Sequence, residues 1–247
     1  MSINSVLPLF DELVPVILDP QLQREAKERG ECVGNVPMSI RDVPACGEFK
    51  SYGLNETCVV QEGLVTTNID DKDIKGIFGA QRKRILYGKE FLVPRLEAVM
   101  ASSGALCSYS KNVRRFPWSG AIAELRKEVA IMFGTRFNMA ILNYYRNGED
   151  YVAAHSDNEP EIAQNYPIVT VSYGAPRIFR MREKKTKKTV LDILTGDGTV
   201  LAMHGTDFQT IFTHEITKQS VKRVSKPRLS ITFRCVNVHG KENKFEL

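Results

Sequence analysis

The amino-acid sequence predicts an α+β protein in which a few helices precede a series of short antiparallel strands, arranged as a sandwich or jelly roll. Three observations predict this fold class. The chain of 247 residues is 43% hydrophobic and 26% charged, a balance that allows one sizeable buried core. The hydrophobic period changes from about 3.6 residues to about 2 residues at Arg136. Turn-forming residues such as Asn147-Gly148 then separate short alternating segments.

The first 80 residues are rich in turn formers, and one helix stands out among them. Asp19 can cap this helix, Pro20 suits its first turn, and Gly30 can end it. The rest of this region consists of short extended pieces, so it either completes the fold or forms a small extra domain. We therefore divide the chain into an N-terminal extension (1–80), a principal domain (81–240) and a C-terminal tail (241–247).

Two further helices are predicted before the strands begin. The first runs from Pro94 to about Ala101. The second runs from Ser119, which can cap it, to Phe133, and Gly134 can end it. Apolar residues at helical spacing predict that this second helix packs against a sheet; they are Ile122, Leu125, Val129, Met132 and Phe133.

Alternating apolar and polar residues after Arg136 predict a set of short strands. Strands of this length, joined by turn residues, are typical of antiparallel sheets that pack face to face. Their predicted bounds are 137–145, 151–155, 167–173, 177–182, 189–194, 198–203, 211–216 and 228–236.

Charge and cysteine content limit the classes of function. The net charge is +5, and basic residues cluster at 81–84, 114–115, 182–188 and 218–226. Such clusters suit a nucleic-acid partner or are only a solvated face. The five cysteines never form a CxxC pair, which argues against a disulfide framework or a zinc knuckle. With no long apolar stretch and no secretion signal, we expect an intracellular protein, cytoplasmic or nuclear, without a membrane partner. We also expect it to be a monomer.

Two of the four histidines bracket the strand-rich half of the chain, and one of them is part of an HxD motif. Residues two apart in an extended segment face the same side, so His155 and Asp157 can bind one metal ion, with His214 supplied by a later strand. Two histidines and one carboxylate leave open positions on an octahedral ion, as in non-haem Fe(II) oxygenases. An isolated HxD motif is more often a capping or surface feature.

The last predicted strand has one polar face, formed by Arg228, Ser230, Thr232 and Arg234. A buried arginine needs a partner, and a dicarboxylate such as 2-oxoglutarate suits Arg228 because guanidinium binds carboxylate through two parallel hydrogen bonds. The two arginines lie roughly 20 Å apart along the strand, at ~3.3 Å per residue, so they should serve different ends of one site. The alternative is a solvent-exposed face with surface ion pairs.

The first predicted strand ends with two polar groups on an otherwise apolar face. Phe137, Met139, Ile141, Asn143 and Tyr145 alternate along it and should share that face. The amide of Asn143 and the phenol of Tyr145 can donate hydrogen bonds to a bound acid. A frayed and exposed strand end is the alternative.

Five segments contain most of these residues, in the order Asn143 to Gly148, His155 to Glu159, Ser172 to Arg177, Thr213 to Glu215 and Pro227 to Arg234. Together they resemble the AlkB family of nucleic-acid dealkylases over about residues 81–238. The resemblance implies a double-stranded β-helix, or jelly roll. It also implies Fe(II) held by His155, Asp157 and His214, with 2-oxoglutarate and O2 as cosubstrates.

The resemblance implies further roles in the site. Asn143, Tyr145 and Arg228 would hold 2-oxoglutarate, and Ser230 stands where the family usually has Asn. Arg234 would order the ligand or a nearby acid. Iron, O2 and 2-oxoglutarate would oxidise an N-alkyl group on a base of DNA or RNA, such as 1-methyladenine or 3-methylcytosine, and the alkyl carbon would leave as an aldehyde.

The residues that would recognise the base are the least specific part of the resemblance. Tyr109 resembles the stacking aromatic of the family, with Trp118 as a competing platform, His155 as the opposite wall and Glu159 as an acceptor for an exocyclic amine. The predicted helix at 94–101 is a departure from the family at this point. Two alternatives stay open, an oxygenase of a protein side chain or small molecule and a nucleic-acid-binding module without catalysis.

Overall fold

The computed structural model of the chain describes residues 49–86, 88–105, 107–108 and 112–237. The strands in this part of the chain are β1 (Lys50–Gly53), β2 (Val59–Leu64), β3 (Lys83–Leu86), β4 (Lys89–Leu92), β5 (Leu96–Ala101), β6 (Arg115–Phe116), β7 (Met139–Tyr145), β8 (Val152–His155), β9 (Ile168–Gly174), β10 (Arg177–Glu183), β11 (Thr189–Thr195), β12 (Thr199–His204), β13 (Phe212–Ile216) and β14 (Arg228–Arg234). The helices are α1 (Asp71–Ile74), α2 (Gly120–Met132) and α3 (Phe208–Ile211). The helix predicted to begin near Asp19 lies outside the described residues.

Two sheets pack face to face and enclose the functional residues. The large sheet has the order β1-β2-β12-β9-β14-β7-β5-β6, the small sheet has the order β11-β10-β13-β8, and β3 and β4 form a separate hairpin. Apolar side chains from both sheets meet between them, including Leu201 and Met203 of the large sheet and Phe179 and Met181 of the small one. We call the face of the large sheet that meets the small sheet its inner face. The predicted α+β jelly roll is confirmed.

The strands predicted after Arg136 are all present, and the largest differences in their bounds are two residues, from 137 to Met139 and from 236 to Arg234. Alternating or continuous apolar residues mark these strands, and turn residues separate them, which explains why their bounds are predicted well. One assignment of side chains was wrong. Phe137 precedes β7, and its ring packs against Phe233, which points away from the inner face.

Helix α2 covers the outer face of the large sheet, as its pattern predicts. Ile122, Leu125, Val129 and Met132 are buried against side chains of β14 such as Ile231. Ser119 occupies the N-cap position, but its side chain makes no capping hydrogen bond. Gly134 follows the helix at a φ of 57°, a left-handed conformation that glycine adopts readily.

The helix predicted from Pro94 to about Ala101 was wrong, because this segment is β5. It lies inside the large sheet between β7 and β6, and residues 97–101 are buried. A strand that is buried on both faces loses the two-residue alternation that identifies strands in a sequence. Its Leu, Glu, Ala and Met residues also have high helix propensity, which tertiary packing overrides here.

The described part of the first 80 residues belongs to the same core. Strand β2 pairs with β12 and so extends the large sheet, and β1 pairs with β2 at its edge. Ile69, Ile74 and Ile77 pack in the same apolar cluster as α2. Within the described ranges, no helix has the length and apolar character needed to cross a membrane.

Candidate metal centre and arginine pocket

His155, Asp157 and His214 converge between the two sheets. His155 ends β8 and lies directly opposite His214 of β13, with ring centroids 4.3 Å apart. Asp157 follows β8 by two residues and turns its carboxylate to the same point. One nitrogen or oxygen atom from each residue lies within 4.8 Å of the others. The structure therefore brings together the three side chains that the HxD motif and the later histidine predict.

Neighbouring groups fix how the two imidazoles are presented. Nδ1 of His155 lies 2.9 Å from the carbonyl oxygen of Ala153. A carbonyl oxygen can only accept, so Nδ1 carries the proton and Nε2 keeps its lone pair for a ligand. The His214 ring stacks on Phe179 at 5.4 Å, with an interplanar angle of 9°. Burial lowers the pKa of His214 to about 3, which keeps the ring in the neutral form that binds metals.

Asp157 is held as an anion in the interior. Burial raises the pKa of its carboxyl, but Arg234, His214 and His155 outweigh that effect and hold the pKa well below its usual range. Nη2 of Arg234 lies 2.6 Å from Oδ1, and the backbone N–H of Asp157 donates to Oε1 of Gln209 at 2.9 Å. Oδ2 is buried and, among the described residues, has no hydrogen-bond partner.

These features fit a divalent metal of the Fe(II) type. Two neutral imidazoles and one carboxylate are the donor set of non-haem iron oxygenases. A buried carboxylate oxygen without a partner is costly, and a bound cation would satisfy it. Arg234 pairs with the other oxygen of Asp157, so one oxygen remains for the metal.

Arg228 forms a second polar centre on the inner face of the large sheet. Its Nη2 donates to the hydroxyls of Ser172 at 2.8 Å and Thr195 at 3.4 Å, and its guanidinium lies 5.1 Å from the centroid of the Tyr145 ring. Nε and Nη1 are buried and lack partners within the described chain. Burial lowers the pKa of Arg228 to about 10, so the group is still charged at neutral pH.

A row of polar side chains crosses the inner face beside Arg228. Directly paired residues on neighbouring strands point to the same side of a sheet. The register therefore aligns, from β5 to β12, Glu97, Asn143, Ser230, Ser172 and Thr199. Asn143, Tyr145, Arg228 and Ser230 thus share one face, which is the face that the sequence pattern predicts for them.

The residues predicted to recognise a base lie in different parts of the molecule. Glu159 is half-buried and lies near Arg234. Burial lowers the pKa of Arg234, but Asp157 and Glu159 outweigh that effect and raise it. Oε2 of Glu159 is buried and has no partner among the residues the structure describes. Trp118 lies on the outer face of the sheet, away from His155, where its indole stacks on Phe233 at 6.3 Å. Tyr109 lies outside the described residues.

Sequence reasoning assigned no role to Arg177, which is completely buried beside Tyr145. Its guanidinium donates to the backbone carbonyls of Asn147, Gly148, Asp150 and Thr217 and lies 5.7 Å from the Tyr145 ring centroid. The sequence contained a signal for the burial of Arg177, because Arg177 alternates with Phe179 and Met181 along β10 and so points to the same buried face.

Comparison with known proteins identifies relatives over this same region. The model of the 2OG-Fe(II) oxygenase superfamily matches residues 78–234, which include the metal-centre residues and the arginine pocket. The DNA oxidative demethylase ALKBH2 of Bos taurus is 30% identical over 175 residues, covering 67% of this chain and 62% of that protein. For ALKBH2 of Mus musculus the identity is 30% over 174 residues, with 67% and 72% covered.

A third relative matches a shorter part of the chain. The alpha-ketoglutarate-dependent dioxygenase alkB homolog 3 of Homo sapiens is 33% identical over 127 residues, covering 48% of this chain and 43% of that protein. The chain thus spans 62% of the bovine ALKBH2 and 72% of the mouse protein.

Proposed function

Because the chain belongs to the AlkB family of the 2OG-Fe(II) oxygenase superfamily, we propose that it removes alkyl groups oxidatively from nucleic-acid bases. The family uses Fe(II), 2-oxoglutarate and O2. One observation carries the proposal to this chain. A cluster of two imidazoles and one carboxylate, in which His214 and Asp157 are buried, lies near the interior that holds Arg228, a buried cation without an anionic partner among the described residues.

His155, Asp157 and His214 would hold the metal. Bound Fe(II), with 2-oxoglutarate and O2, supplies oxidation of the carbon attached to the base nitrogen. The protein contributes the arrangement of its own groups. Arg234 and Gln209 hold Asp157 in place, and the stacking of His214 on Phe179 fixes that ring.

The arginine pocket would bind 2-oxoglutarate. The unpartnered Nη1 of Arg228 can donate to a carboxylate, a charge-assisted contact that guanidinium favours. The ring of Tyr145 lies against the guanidinium of Arg228, and Asn143 and Ser230 add polar groups on the same face. A diacid that spans this pocket and the metal centre would neutralise a charge that otherwise stays buried alone.

Several observations support an alkylated base as the second substrate. The relatives from cattle and mouse are named DNA oxidative demethylases, and the chain has a net charge of +5. The unpartnered oxygen of Glu159 can accept a hydrogen bond from the exocyclic amine of adenine or cytosine. We extend the proposal to Tyr109 as the stacking aromatic, and to a monomer that acts on DNA or RNA in the cytoplasm or nucleus.

A substrate panel tests this function. Wild-type protein and the His155→Ala variant are incubated with Fe(II), 2-oxoglutarate and oligonucleotides of single- and double-stranded DNA and RNA, each with one 1-methyladenine or 3-methylcytosine. Mass spectrometry of the bases, with a formaldehyde assay, should show demethylation by the wild type alone. Cosubstrate turnover that no oligonucleotide stimulates would contradict the proposal and indicate an oxygenase of a protein side chain or small molecule.

A further inference from the structure

A buried ion-pair cluster lies at the β5 end of the polar row. Oε1 of Glu97 lies 2.7 Å from Nη2 of Arg95, and its Oε2 lies 2.6 Å from Nη2 of Arg82. The exposed fractions of these side chains are 1% for Glu97, 9% for Arg95 and 16% for Arg82. Two arginines therefore share one carboxylate, and Arg95 is fixed between the hairpin and the inner face.

Arg95 also contacts the pocket residue Asn143. Its Nε lies 2.8 Å from Oδ1 of Asn143, which pairs directly with Glu97 across the sheet. A guanidinium only donates hydrogen bonds, so the amide atom that it contacts must be the oxygen. The two N–H groups of the Asn143 amide then remain as donors for a ligand.

We infer that Arg95 is a positioning residue for 2-oxoglutarate, acting through Asn143. An isolated asparagine can present either its oxygen or its nitrogen by rotating its amide through half a turn. The Nε–H of Arg95 selects one orientation, in which Asn143 offers donors rather than an acceptor. A carboxylate needs donors, so this orientation favours a bound diacid. The inference rests on the proposed function, because it assumes that 2-oxoglutarate occupies this pocket.

Glu97 makes the arrangement rigid. Its carboxylate neutralises the buried charge of Arg95, and Arg82 holds the same carboxylate from the other side. If Arg95 loses its charge, Glu97 still has an ion-pair partner in Arg82. Replacing Arg95 therefore does not leave an unpaired buried charge, and variants at this position are suitable for an experiment.

Two substitutions separate the hydrogen bond from the charge. In Arg95→Gln, the side-chain nitrogen stands the same number of bonds from the backbone as Nε of arginine, so the donor to Asn143 is kept and the charge is lost. In Arg95→Lys, the charge is kept but a methylene group occupies that place. Binding of 2-oxoglutarate to the Mn(II)-loaded protein is measured by calorimetry. Glu124→Gln, which breaks an exposed ion pair on α2, is the matched control.

Arg95→Lys should weaken 2-oxoglutarate binding about 5-fold, the effect of one hydrogen bond, whereas Arg95→Gln and Glu124→Gln should stay within about 2-fold of the wild type. In an Asn143→Ala background, Arg95→Lys should cause no further loss, because its effect passes through Asn143. Melting temperatures report whether each variant folds. If Arg95→Lys does not fold, Arg95→Met, which also places no donor opposite Asn143, takes its place and should weaken binding to the same extent.

Three results would overturn the inference. Weak binding by Arg95→Gln would show that the charge, not the donor, matters. An equal loss from Arg95→Lys with and without Asn143 would show that Arg95 acts by another route. A wild-type protein that binds no 2-oxoglutarate would refute the proposed function as well, whereas the first two results would leave that function standing.

Discussion

Two arginines on the same strand, Arg228 and Arg234, are both buried and face the same side, yet their surroundings differ. Arg234 has an anion within the protein, Asp157, at 2.6 Å, and despite its burial the pKa of Arg234 is raised by Asp157 and Glu159. Arg228 has hydroxyl groups and an aromatic ring as partners, and burial lowers its pKa.

The difference indicates what each end of the site is built to do. At the Arg234 end, Arg234 balances the charge of Asp157 within the protein, and Oδ2 of Asp157 keeps its lone pairs for a cation. At the Arg228 end, the described residues leave a positive charge that an external anion would balance. A buried charge without a partner is costly, so selection for stability alone would not keep it. Variants at the two ends should therefore behave differently in stability and in binding.

The largest effect is expected from His155→Ala at the metal end. Demethylation should fall at least about 1,000-fold, or about 4 kcal/mol, because one of the proposed metal ligands is lost. The His155 side chain is 38% exposed, so the fold should be little affected. Turnover, Mn(II) binding and melting temperature check this, and full Mn(II) affinity in the variant would contradict it.

Arg234→Met should destabilise the fold more than Arg228→Met does. It leaves the buried carboxylate of Asp157 without its ion-pair partner, which should cost about 3 kcal/mol of unfolding free energy. Urea unfolding of the metal-free protein measures this. Added Mn(II) should restore part of the loss, since it supplies a cation to the same carboxylate. An unchanged urea midpoint would show that the pair contributes no net stability.

Arg228→Met should have the opposite effect on stability. It removes a buried charge that has no anionic partner among the described residues, so the ligand-free protein should be as stable as the wild type or more stable. Binding of 2-oxoglutarate should weaken about 30-fold, or about 2 kcal/mol, because a charge-assisted contact is lost. Mn(II) affinity should not change. A loss of stability equal to that of Arg234→Met would remove the contrast between the two arginines.

The smallest effect is expected from Glu159→Gln. The amide keeps one acceptor but loses the negative charge that favours an exocyclic amine, so kcat/KM for 3-methylcytosine should fall about 5-fold. The affinity for 2-oxoglutarate should stay the same, which separates this residue from the arginine pocket. A selective rise in KM for 2-oxoglutarate would place Glu159 at the wrong end of the site.

The sequence was most informative where polar and apolar residues alternate along a strand, as in β14, although all of β14 is buried. Alternation located the strands after Arg136 and placed Arg228 and Arg234 on one face, and the spacing of His155 and Asp157 placed both side chains at one point. These are local patterns with a period of about two residues, and a single sequence displays them directly.

The sequence was least informative where long-range packing decides. Strand β5 carries no alternation, because Glu97 is its one polar residue and its other residues are apolar, so it was predicted as a helix. With that strand missed, the contact between Arg95 and Asn143 could not be foreseen, since it follows from the pairing of β5 with β7. The position of Trp118 on the outer face could not be foreseen either, because it depends on how the segment before α2 docks on the sheet.

The most direct test of a single site that joins the metal centre to the arginine pocket is a pair of titrations. The dissociation constant of 2-oxoglutarate is measured by calorimetry on the same protein with and without saturating Mn(II). A ligand that spans both centres should bind at least about 10-fold more tightly when the metal is present, because the two partners then stabilise each other. Equal affinities in the two titrations would contradict the account.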